Sequence, residues 1–213
     1  DNKYYASASL RRDGSSKFKK AENRWGTFWS VGGGWRISSE DFMKDYKDIV
    51  QNLKVRASYG VIGNQNGVAM HSGYQTWGYG GSSWSYSGTT VTPTAFSISK
   101  GNWTNDALTW ENVHTIDAGV DFSILNRING TIDYYNRLTA NAIWSQPVSY
   151  MKAGQTTMDM NSAKIRNRGI EIDLTVDLIK NKDLYWNFST NGTHYTTEVT
   201  EVPAGTGSAA LDG

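Results

Sequence analysis

The chain has 213 residues, with 21 basic and 20 acidic side chains, so its formal net charge is +1 at pH 7. This balance offers no basic face to nucleic acid, and the absence of cysteine excludes disulfide bonds, thiolate metal sites and cysteine nucleophiles. No apolar run of about 18 residues is present, so the chain could cross a membrane only as strands.

Apolar and polar residues alternate with a period of two in seven stretches, which predicts seven β-strands. In chain order these cover about residues 3–11, 24–37, 52–62, 109–125 and 127–143, a sixth that includes 170–180, and 184–199. One short amphipathic helical turn is predicted in SSEDFMKDYKDIV, with Ser38 as its N-cap. The pattern therefore predicts an all-β chain.

The predicted connections alternate in length. A polar loop at 12–23, a very long loop at 63–108 and a long loop at 145–164 alternate with a short helical connection at 39–50 and tight turns at 125–127 and 180–182. The strands are also long, at about 9 to 15 residues, against about 5 to 6 in soluble sheets. Both features are typical of an antiparallel outer-membrane β-barrel with long extracellular loops and short periplasmic turns. Such barrels close on an even strand number, so we expect seven strands to form an arc of a larger barrel.

Tryptophans near the predicted strand ends indicate the aromatic girdles of a membrane barrel. They are Trp25, Trp35, Trp110, Trp144 and Trp186, whereas Trp29 lies mid-strand and is expected to face lipid. Trp25 and Trp35 share one parity, and at ~3.3 Å per residue and ~45° tilt they stand roughly 23 Å apart along the membrane normal. This separation is close to the ~25 Å apolar band of such barrels.

The two faces of each predicted strand differ in polarity, most clearly in GIEIDLTVDLI at 169–179. A Lys or Arg on a lipid-facing position near the bilayer midplane costs ~2 to 4 kcal/mol, so the charged side of each strand is predicted to face a watery interior. The predicted lumen-lining residues are Lys54, Arg56, Asp117, Asp121, Glu171, Asp173 and Asp177. The alternative interpretation is that the carboxylates are solvated side chains that only fill the lumen.

Six motifs follow one another along the chain, and together they resemble the C-terminal barrel region of the SusC/RagA family of TonB-dependent outer-membrane transporters. They are LRRDGSSKF at 10–18, NRWGTFWSVGGGWRIS at 23–38, LKVRASYGVIGNQ at 53–65, LTWENVHTIDAGVDFSI at 108–124, INGTIDYYNRLT at 128–139 and IRNRGIEIDL at 165–174. The resemblance covers about residues 4–199.

This resemblance implies a 22-stranded barrel, closed by an N-terminal plug, in the outer membrane of a Gram-negative bacterium of the Bacteroidetes. It implies active import of oligosaccharides or peptides, with a SusD-like surface lipoprotein as a lid and TonB as the source of energy. We expect residues 1–213 to be part of the C-terminal barrel domain of a longer protein, with the plug and the TonB-binding segment elsewhere.

The long predicted loop carries aromatic residues that Gly and Ser separate: Tyr74, Trp77, Tyr79, Trp84 and Tyr86. Flat aromatic rings stack on sugars and bury area at low entropic cost, so these residues are candidates for contact with substrate or with the lid protein. The alternative is that the rings pack on one another to order the loop.

No catalytic chemistry is predicted. His71, His114 and His194 lack metal-ligand spacing, and no GxSxG motif occurs, so we expect no enzyme activity, metal or cofactor. Two alternatives to an importer remain open at this level. One is a soluble, secreted β-sandwich that binds carbohydrate, and the other is an outer-membrane receptor that does not transport.

Overall fold

The computed structural model of the chain describes residues 2–70, 74, 77–80, 84–87, 90–93, 97–100, 105–149 and 157–203. In chain order its strands are β1 Tyr4–Gly14, β2 Trp25–Arg36, β3 Val50–Asn64, β4 Trp77–Gly80, β5 Trp84–Ser87, β6 Thr90–Pro93, β7 Ser97–Lys100, β8 Glu111–Ile124, β9 Ile128–Pro147, β10 Thr157–Lys180 and β11 Tyr185–Glu201. The seven long strands confirm the predicted all-β class.

The long strands form one open antiparallel sheet in the order β1-β2-β3-β8-β9-β10-β11. Sheet neighbours therefore follow one another in the chain, apart from the insertion that carries β4 to β7, and successive connections lie at opposite ends of the sheet. The connections that follow β1, β3 and β9 leave one end of the sheet, the long-loop end, and residues 37–49, 125–127 and 181–184 lie at the other, the short-turn end. The two tight turns and the long insertion after β3 agree with the predicted sorting by length, but residues 37–49 form a longer connection than residues 15–24.

The soluble sandwich is not the observed architecture. A sandwich needs a second sheet packed on the apolar face of the first. Within the described residues, the strands outside the seven-stranded sheet form only two-stranded pairs, β4 with β7 and β5 with β6. The seven strands instead form a continuous arc, which is the architecture predicted for part of a barrel.

Strands β9 and β10 are longer than the alternation indicates. The loop predicted at 145–164 is wrong for its last part, because β10 begins at Thr157 and pairs from there with Pro147 at the end of β9. About 9 to 11 residues span a bilayer, and the 24 residues of β10 exceed that length. The part of β10 beyond the bilayer, such as TMDMNSAK, therefore has no continuous apolar face. Hydrophobic periodicity does not identify strand that extends beyond the membrane.

The helical segments are short. A single α-helical turn, α1, covers Ala21–Arg24, and two 3₁₀ helices cover Ile37–Ser39 and Asp41–Tyr46. The predicted N-cap at Ser38 is wrong, since Ser38 is buried inside the first 3₁₀ helix and Glu40 occupies the N-cap position of the second. Among the described residues, no helix combines the length and the apolar composition needed to cross a membrane.

The hairpin between β8 and β9 turns on two residues with left-handed backbone. Leu125 and Asn126 have φ of 54° and 52°, as both central residues of a type I′ turn do, and the N–H of Arg127 donates to the carbonyl of Ile124 at 3.1 Å. Asn tolerates this conformation but Leu does not favour it. The preceding connection supports the turn, because the N–H of Leu125 donates to the Ile49 carbonyl at 2.7 Å.

A small apolar cluster lies at the long-loop end and consists of Phe18, Phe28, Val68, Leu108 and Trp110, all less than 9% exposed. The rings of Phe18 and Phe28 each lie 5.4 Å from that of Trp110. Trp110 is therefore not a girdle residue as predicted, because the flanking loop segments cover it. By contrast, Trp25, Trp29 and Trp35 are 56%, 41% and 40% exposed.

Candidate functional site

One face of the sheet collects charged side chains from several strands; it is called the polar face below. Residues opposite each other in an antiparallel ladder project to the same side. One row of the register contains Lys54, Asp121, Thr131 and Asp173, and the next contains Arg56, Gly119, Asp133 and Glu171. Asp117 is opposite Ser58 one row further on. The register thus brings six of the seven predicted lining residues onto one continuous face.

Arg56 is the centre of the ion pairs on this face. Its guanidinium lies 3.3 Å from Asp121 and 2.7 Å from Asp133, two strands away from β3. Arg56 reaches Asp133 across Gly119, which lies between them in the register. A Cβ at Gly119 would overlap the Asp133 carboxylate and lie 2.9 Å from the Arg56 Cζ. The missing side chain at Gly119 therefore makes this longer pairing possible.

Asp133 was not among the predicted lining residues, although it lies on the polar side of its strand. Strand parity alone does not align neighbouring strands, so it could not show that Asp133 lies opposite Gly119. The sequence feature that could have indicated this contact is Gly119, which lies between Asp117 and Asp121 on the polar side of its strand. A strand position without a side chain leaves room for a long cationic side chain from the next strand.

Beside this network a recess of about 380 Å³ opens over the Gly32–Gly34 stretch of β2. The Lys54 ammonium lies 4.7 Å from the centre of the Tyr5 ring at one wall, and Ser58 donates to Asp117 at 3.5 Å at the other. The glycines leave the floor open, as a strand glycine does where a neighbouring side chain approaches. The recess is bounded by both signs of charge.

Two of the predicted carboxylates, Glu171 and Asp173, lie exposed on β10. Asp177 differs from them because it is 6% exposed and close to the short-turn end. Its carboxylate accepts a hydrogen bond from the Tyr185 hydroxyl at 2.6 Å, and its backbone N–H donates to the Arg127 carbonyl at 2.7 Å. These contacts indicate that Asp177 fastens the β10–β11 turn, next to a register shift between Asp177 and Ile179.

The aromatic candidates of the long loop separate into two groups. Tyr74 accepts a hydrogen bond from the Arg24 guanidinium at 2.9 Å, whereas Trp77 is 61% exposed. The side chains of Tyr79, Trp84 and Tyr86 lie outside the described residues. Trp77 is therefore the candidate with a ring open to a ligand, and Tyr74 is fixed to the loop that precedes β2.

The opposite face of the sheet is apolar and open. One register row on it contains Trp35, Val55, Val120, Ile132 and Ile172. Val55, Ile132 and Ile172 are 38%, 43% and 47% exposed, although none of them lies at a strand end. Contiguous exposed aliphatic surface of this kind indicates contact with membrane or with another protein.

At the short-turn end, Glu40 joins the first two strands. Its carboxylate accepts hydrogen bonds from the Tyr4 hydroxyl at 2.8 Å, the Trp35 indole at 3.1 Å and the Lys3 ammonium at 3.1 Å. These donors, Tyr4 foremost, lower the pKa of Glu40 below its ordinary value of 4.5. Glu40 therefore holds two aromatic residues of the apolar face at the level where an aromatic girdle is expected.

No metal site accompanies these features: among the described residues, no group of three or more His, Asp or Glu side chains could hold an ion. His71 lies outside the described residues. His114 contacts the Tyr59 hydroxyl through its Nδ1 at 3.0 Å.

Seven long antiparallel strands with one polar and one apolar face define the class of the protein as part of a transmembrane β-barrel. The family model described as "TonB dependent receptor-like, beta-barrel" matches residues 1–213, and the chain belongs to this family. Members of the family are outer-membrane β-barrels and are not enzymes.

Individual relatives agree with this assignment. The chain is 34% identical to "TonB-dependent receptor SusC" of Bacteroides thetaiotaomicron, over 96% of this chain and 20% of that protein. It is 32% identical to "TonB-dependent receptor P39" of Formosa agariphila, over 94% of this chain and 18% of that protein. The fold matches a structure of the "RagAB peptide importer" with a TM-score of 0.81 and 25% identity, over 96% of this chain and 21% of that one. The chain thus spans about a fifth of the length of these relatives.

Proposed function

We propose that the chain forms part of the C-terminal barrel of an outer-membrane transporter that imports oligosaccharides or peptides with energy from TonB. The observation that carries this proposal is the continuous seven-stranded sheet with one charged and one apolar face. The similarity to SusC and to a structure described as a peptide importer supports it. The plug and the TonB-binding segment belong to other parts of the full-length protein.

In this proposal the polar face lines the barrel interior and the apolar face contacts lipid. The reverse arrangement would place Lys54, Arg56 and their carboxylate partners against acyl chains, at ~2 to 4 kcal/mol for each basic residue near the midplane. In the interior lining, Arg56 partly neutralises the carboxylates of Asp121 and Asp133, while Glu171 and Asp173 remain available to a plug or a passing substrate.

The direct test of transport uses the full-length protein in its own outer membrane. Uptake of fluorescently labelled oligosaccharides and peptides would be compared between cells with the gene, cells without it, and cells treated with a protonophore. The proposal expects accumulation that needs both the gene and the proton gradient. Labelled ligand that binds to the cell surface but never accumulates would favour the non-transporting receptor instead.

A SusD-like surface lipoprotein is the proposed partner at the long-loop end. Affinity purification of the full-length protein from outer membranes, followed by mass spectrometry, would recover such a lipoprotein in a fixed ratio. Recovery of the barrel alone, from membranes that contain the lipoprotein, would contradict this part of the proposal.

Trp77 is the proposed contact residue of the loop, because its ring is exposed and aromatic rings bind sugars and protein surfaces well. Trp77→Ala, alone and with Trp84→Ala, is expected to weaken binding of substrate or lid without loss of assembly. Tyr74→Phe is the matched control, since it removes only the hydroxyl that Arg24 holds. Unchanged affinity in the double variant would remove the loop from the binding site.

A further inference from the structure

Polar side chains interrupt the apolar face where it approaches the long-loop end. One register row contains Tyr59, Ile116, Asn136 and Arg168, and the next contains Val61, His114, Leu138 and Arg166. These rows continue the apolar face that contains Ile132 and Ile172, so their side chains project away from the charged polar face. The proposed transport pathway gives these residues no role.

Tyr59, His114, Asn136 and Arg166 line a recess of about 340 Å³ that Ile116, Leu138 and Ala140 complete, and Arg168 lies beside it, opposite Asn136 in the register. Within the described part of the chain, two buried atoms in its wall have no hydrogen-bond partner: Nε of Arg166 and Oδ1 of Asn136. Arg166 lies opposite Glu198 in the register of β10 and β11, and its Nε is nevertheless unpartnered. Buried polar groups are nearly always satisfied, so these two atoms indicate a missing ligand.

His114 contributes a donor to the same recess. The Tyr59 hydroxyl lies 3.0 Å from the His114 Nδ1, and the two rings are stacked at 6.4 Å with an angle of 28°. When Tyr59 donates this hydrogen bond, the imidazole carries its proton on Nε2 and can donate it to a ligand.

The position of the recess along β10 places it near the border of the apolar band. Val176 is an apolar residue at the short-turn end of this face, beside Phe188 of β11. At about 3.3 Å per residue and about 45° tilt, Arg168 stands ~19 Å and Arg166 ~23 Å above it along the membrane normal. The apolar band of a barrel is ~25 Å tall, so both arginines reach the level of the outer-leaflet headgroups.

We infer that this recess is a binding site for the phosphorylated sugar headgroup of an outer-leaflet glycolipid. The two arginines offer donors to phosphate oxygens, for which guanidinium groups are well suited. The unpartnered Asn136 Oδ1 is an acceptor, which a phosphate cannot satisfy but a sugar hydroxyl can. Ile116 and Ile170, 47% and 45% exposed on the same face, contact the acyl chains.

The site requires phosphate, sugar and acyl chains in one molecule, which distinguishes it from a site for free phosphate. A free phosphate would leave Asn136 without a donor and the aliphatic surface without a partner. Glu198 faces Arg166 across the strand pair, so Arg168, which is exposed and opposite Asn136, supplies the more available positive charge.

The test measures how much lipid A remains bound to the full-length protein after purification in a mild detergent. The double variant Arg166→Gln, Arg168→Gln is compared with Arg137→Gln, which makes the same chemical change at one position on the polar face of neighbouring β9, opposite Thr115 and Asn167. Native mass spectrometry counts lipid A per protein, and resistance of the folded band to unfolding in SDS shows that each variant is assembled.

The double variant is expected to lose lipid A by about tenfold or more, since it removes at least one charge-assisted contact, whereas Arg137→Gln retains it. Arg166→Lys, Arg168→Lys is expected to retain part of the binding, and lipid A stripped of its phosphates is expected not to compete. Equal retention in the double variant, or equal competition by the stripped lipid, would overturn the inference.

Two further outcomes would also overturn it. Complete displacement of lipid A by inorganic phosphate at millimolar concentration would show a site for the free anion. Conversion of a dimer to a monomer by the double variant, with lipid A retention unchanged, would show that this surface binds a second copy of the protein.

Discussion

At the scale of single residues, Gly119 holds open the space that the Arg56 ion pairs occupy. Gly119→Ala would force a methyl group into the Asp133 carboxylate and against the Arg56 Cζ. Overpacking of this kind costs about 1 to 3 kcal/mol, so we expect a lower midpoint of thermal or urea unfolding for the full-length barrel in detergent.

Gly192→Ala is the matched control, because no atom of the described residues lies within 4 Å of a Cβ built at Gly192. The same change there is expected to leave stability nearly unchanged. Equal destabilisation by the two variants would show that the gap at Gly119 does not support the Arg56 pairs.

Glu40 carries the clearest dependence on pH. Because its donors lower the pKa of Glu40 in the folded state, its carboxylate stabilises the fold above the ordinary pKa of 4.5, and this contribution is lost as pH falls through the lowered value. Glu40→Gln is therefore expected to unfold at a lower temperature than the parent at about pH 7, and the difference is expected to shrink as the pH is lowered below 4.5.

The measurement is the unfolding temperature of both proteins across that pH range. Glu22→Gln is a suitable control, since Glu22 is exposed and its only described ion pair, to Lys20, is 3.8 Å long. A constant difference between the Glu40 variant and the parent at all pH values would contradict an electrostatic role for this carboxylate.

Residue-level features were predictable where strand parity alone decides them. Lys54, Arg56, Asp117 and Asp121 share one face, as alternation predicts, and their position in a lumen stays a prediction. The burial of Asp177 and of Trp110 could not be predicted in this way. The tyrosine that covers Asp177 and the loops that cover Trp110 come from other elements, and parity contains no information about them.

At the scale of elements, the apolar cluster connects the β1–β2 loop to the base of the insertion between β3 and β8. Phe28 packs on Trp110 and is 3% exposed. Phe28→Ala is expected to destabilise the barrel by about 3 to 5 kcal/mol, as Phe truncation does in a packed core. It should also raise the rate of protease cleavage between residues 65 and 110, because the base of that segment loses its anchor.

Phe42→Ala makes the same chemical change at a 63% exposed position in the second 3₁₀ helix. We expect little change in unfolding midpoint or cleavage rate for this control in detergent. Similar cleavage rates for the two variants would show that the cluster does not anchor the segment.

The sequence predicts a strand best where the strand crosses the membrane, and less well where it extends beyond the membrane. All seven long strands follow from alternation, which exists because one side of each meets an apolar environment. The first part of β10 has polar residues on both faces and was predicted as loop. The β8–β9 turn also has no favourable sequence signal at Leu125, since tertiary hydrogen bonds to the preceding connection hold its backbone.

At the scale of the whole molecule, the assignment of faces predicts how neighbouring substitutions differ. Ile132→Arg places a cation on the apolar face within the part of β9 that is proposed to cross the membrane and is expected to cost ~2 to 4 kcal/mol. Thr131→Arg places it on the polar face, one residue away, beside Asp121 and Asp173 in the register. The folded fraction in outer membranes, measured by gel mobility without heating, is expected to fall only for Ile132→Arg.

If the Thr131 variant loses folded protein and the Ile132 variant assembles normally, the two faces have been assigned the wrong way round. This contrast is informative because the two positions share a strand and almost the same depth. Only the direction in which the side chain projects differs between them.

The central claim, that the apolar face meets lipid and the polar face meets water inside a barrel, is tested most directly by spin labels at Ile172 and Asp173. The 213 residues contain no cysteine, so single cysteines at these positions can be labelled in full-length protein after any other cysteine is replaced. Collision rates with oxygen, which concentrates in lipid, and with a water-soluble nickel complex would then be measured in bilayers. The account predicts that oxygen dominates at Ile172 and the nickel complex at Asp173. The opposite preference, or equal preference at both positions, would contradict it.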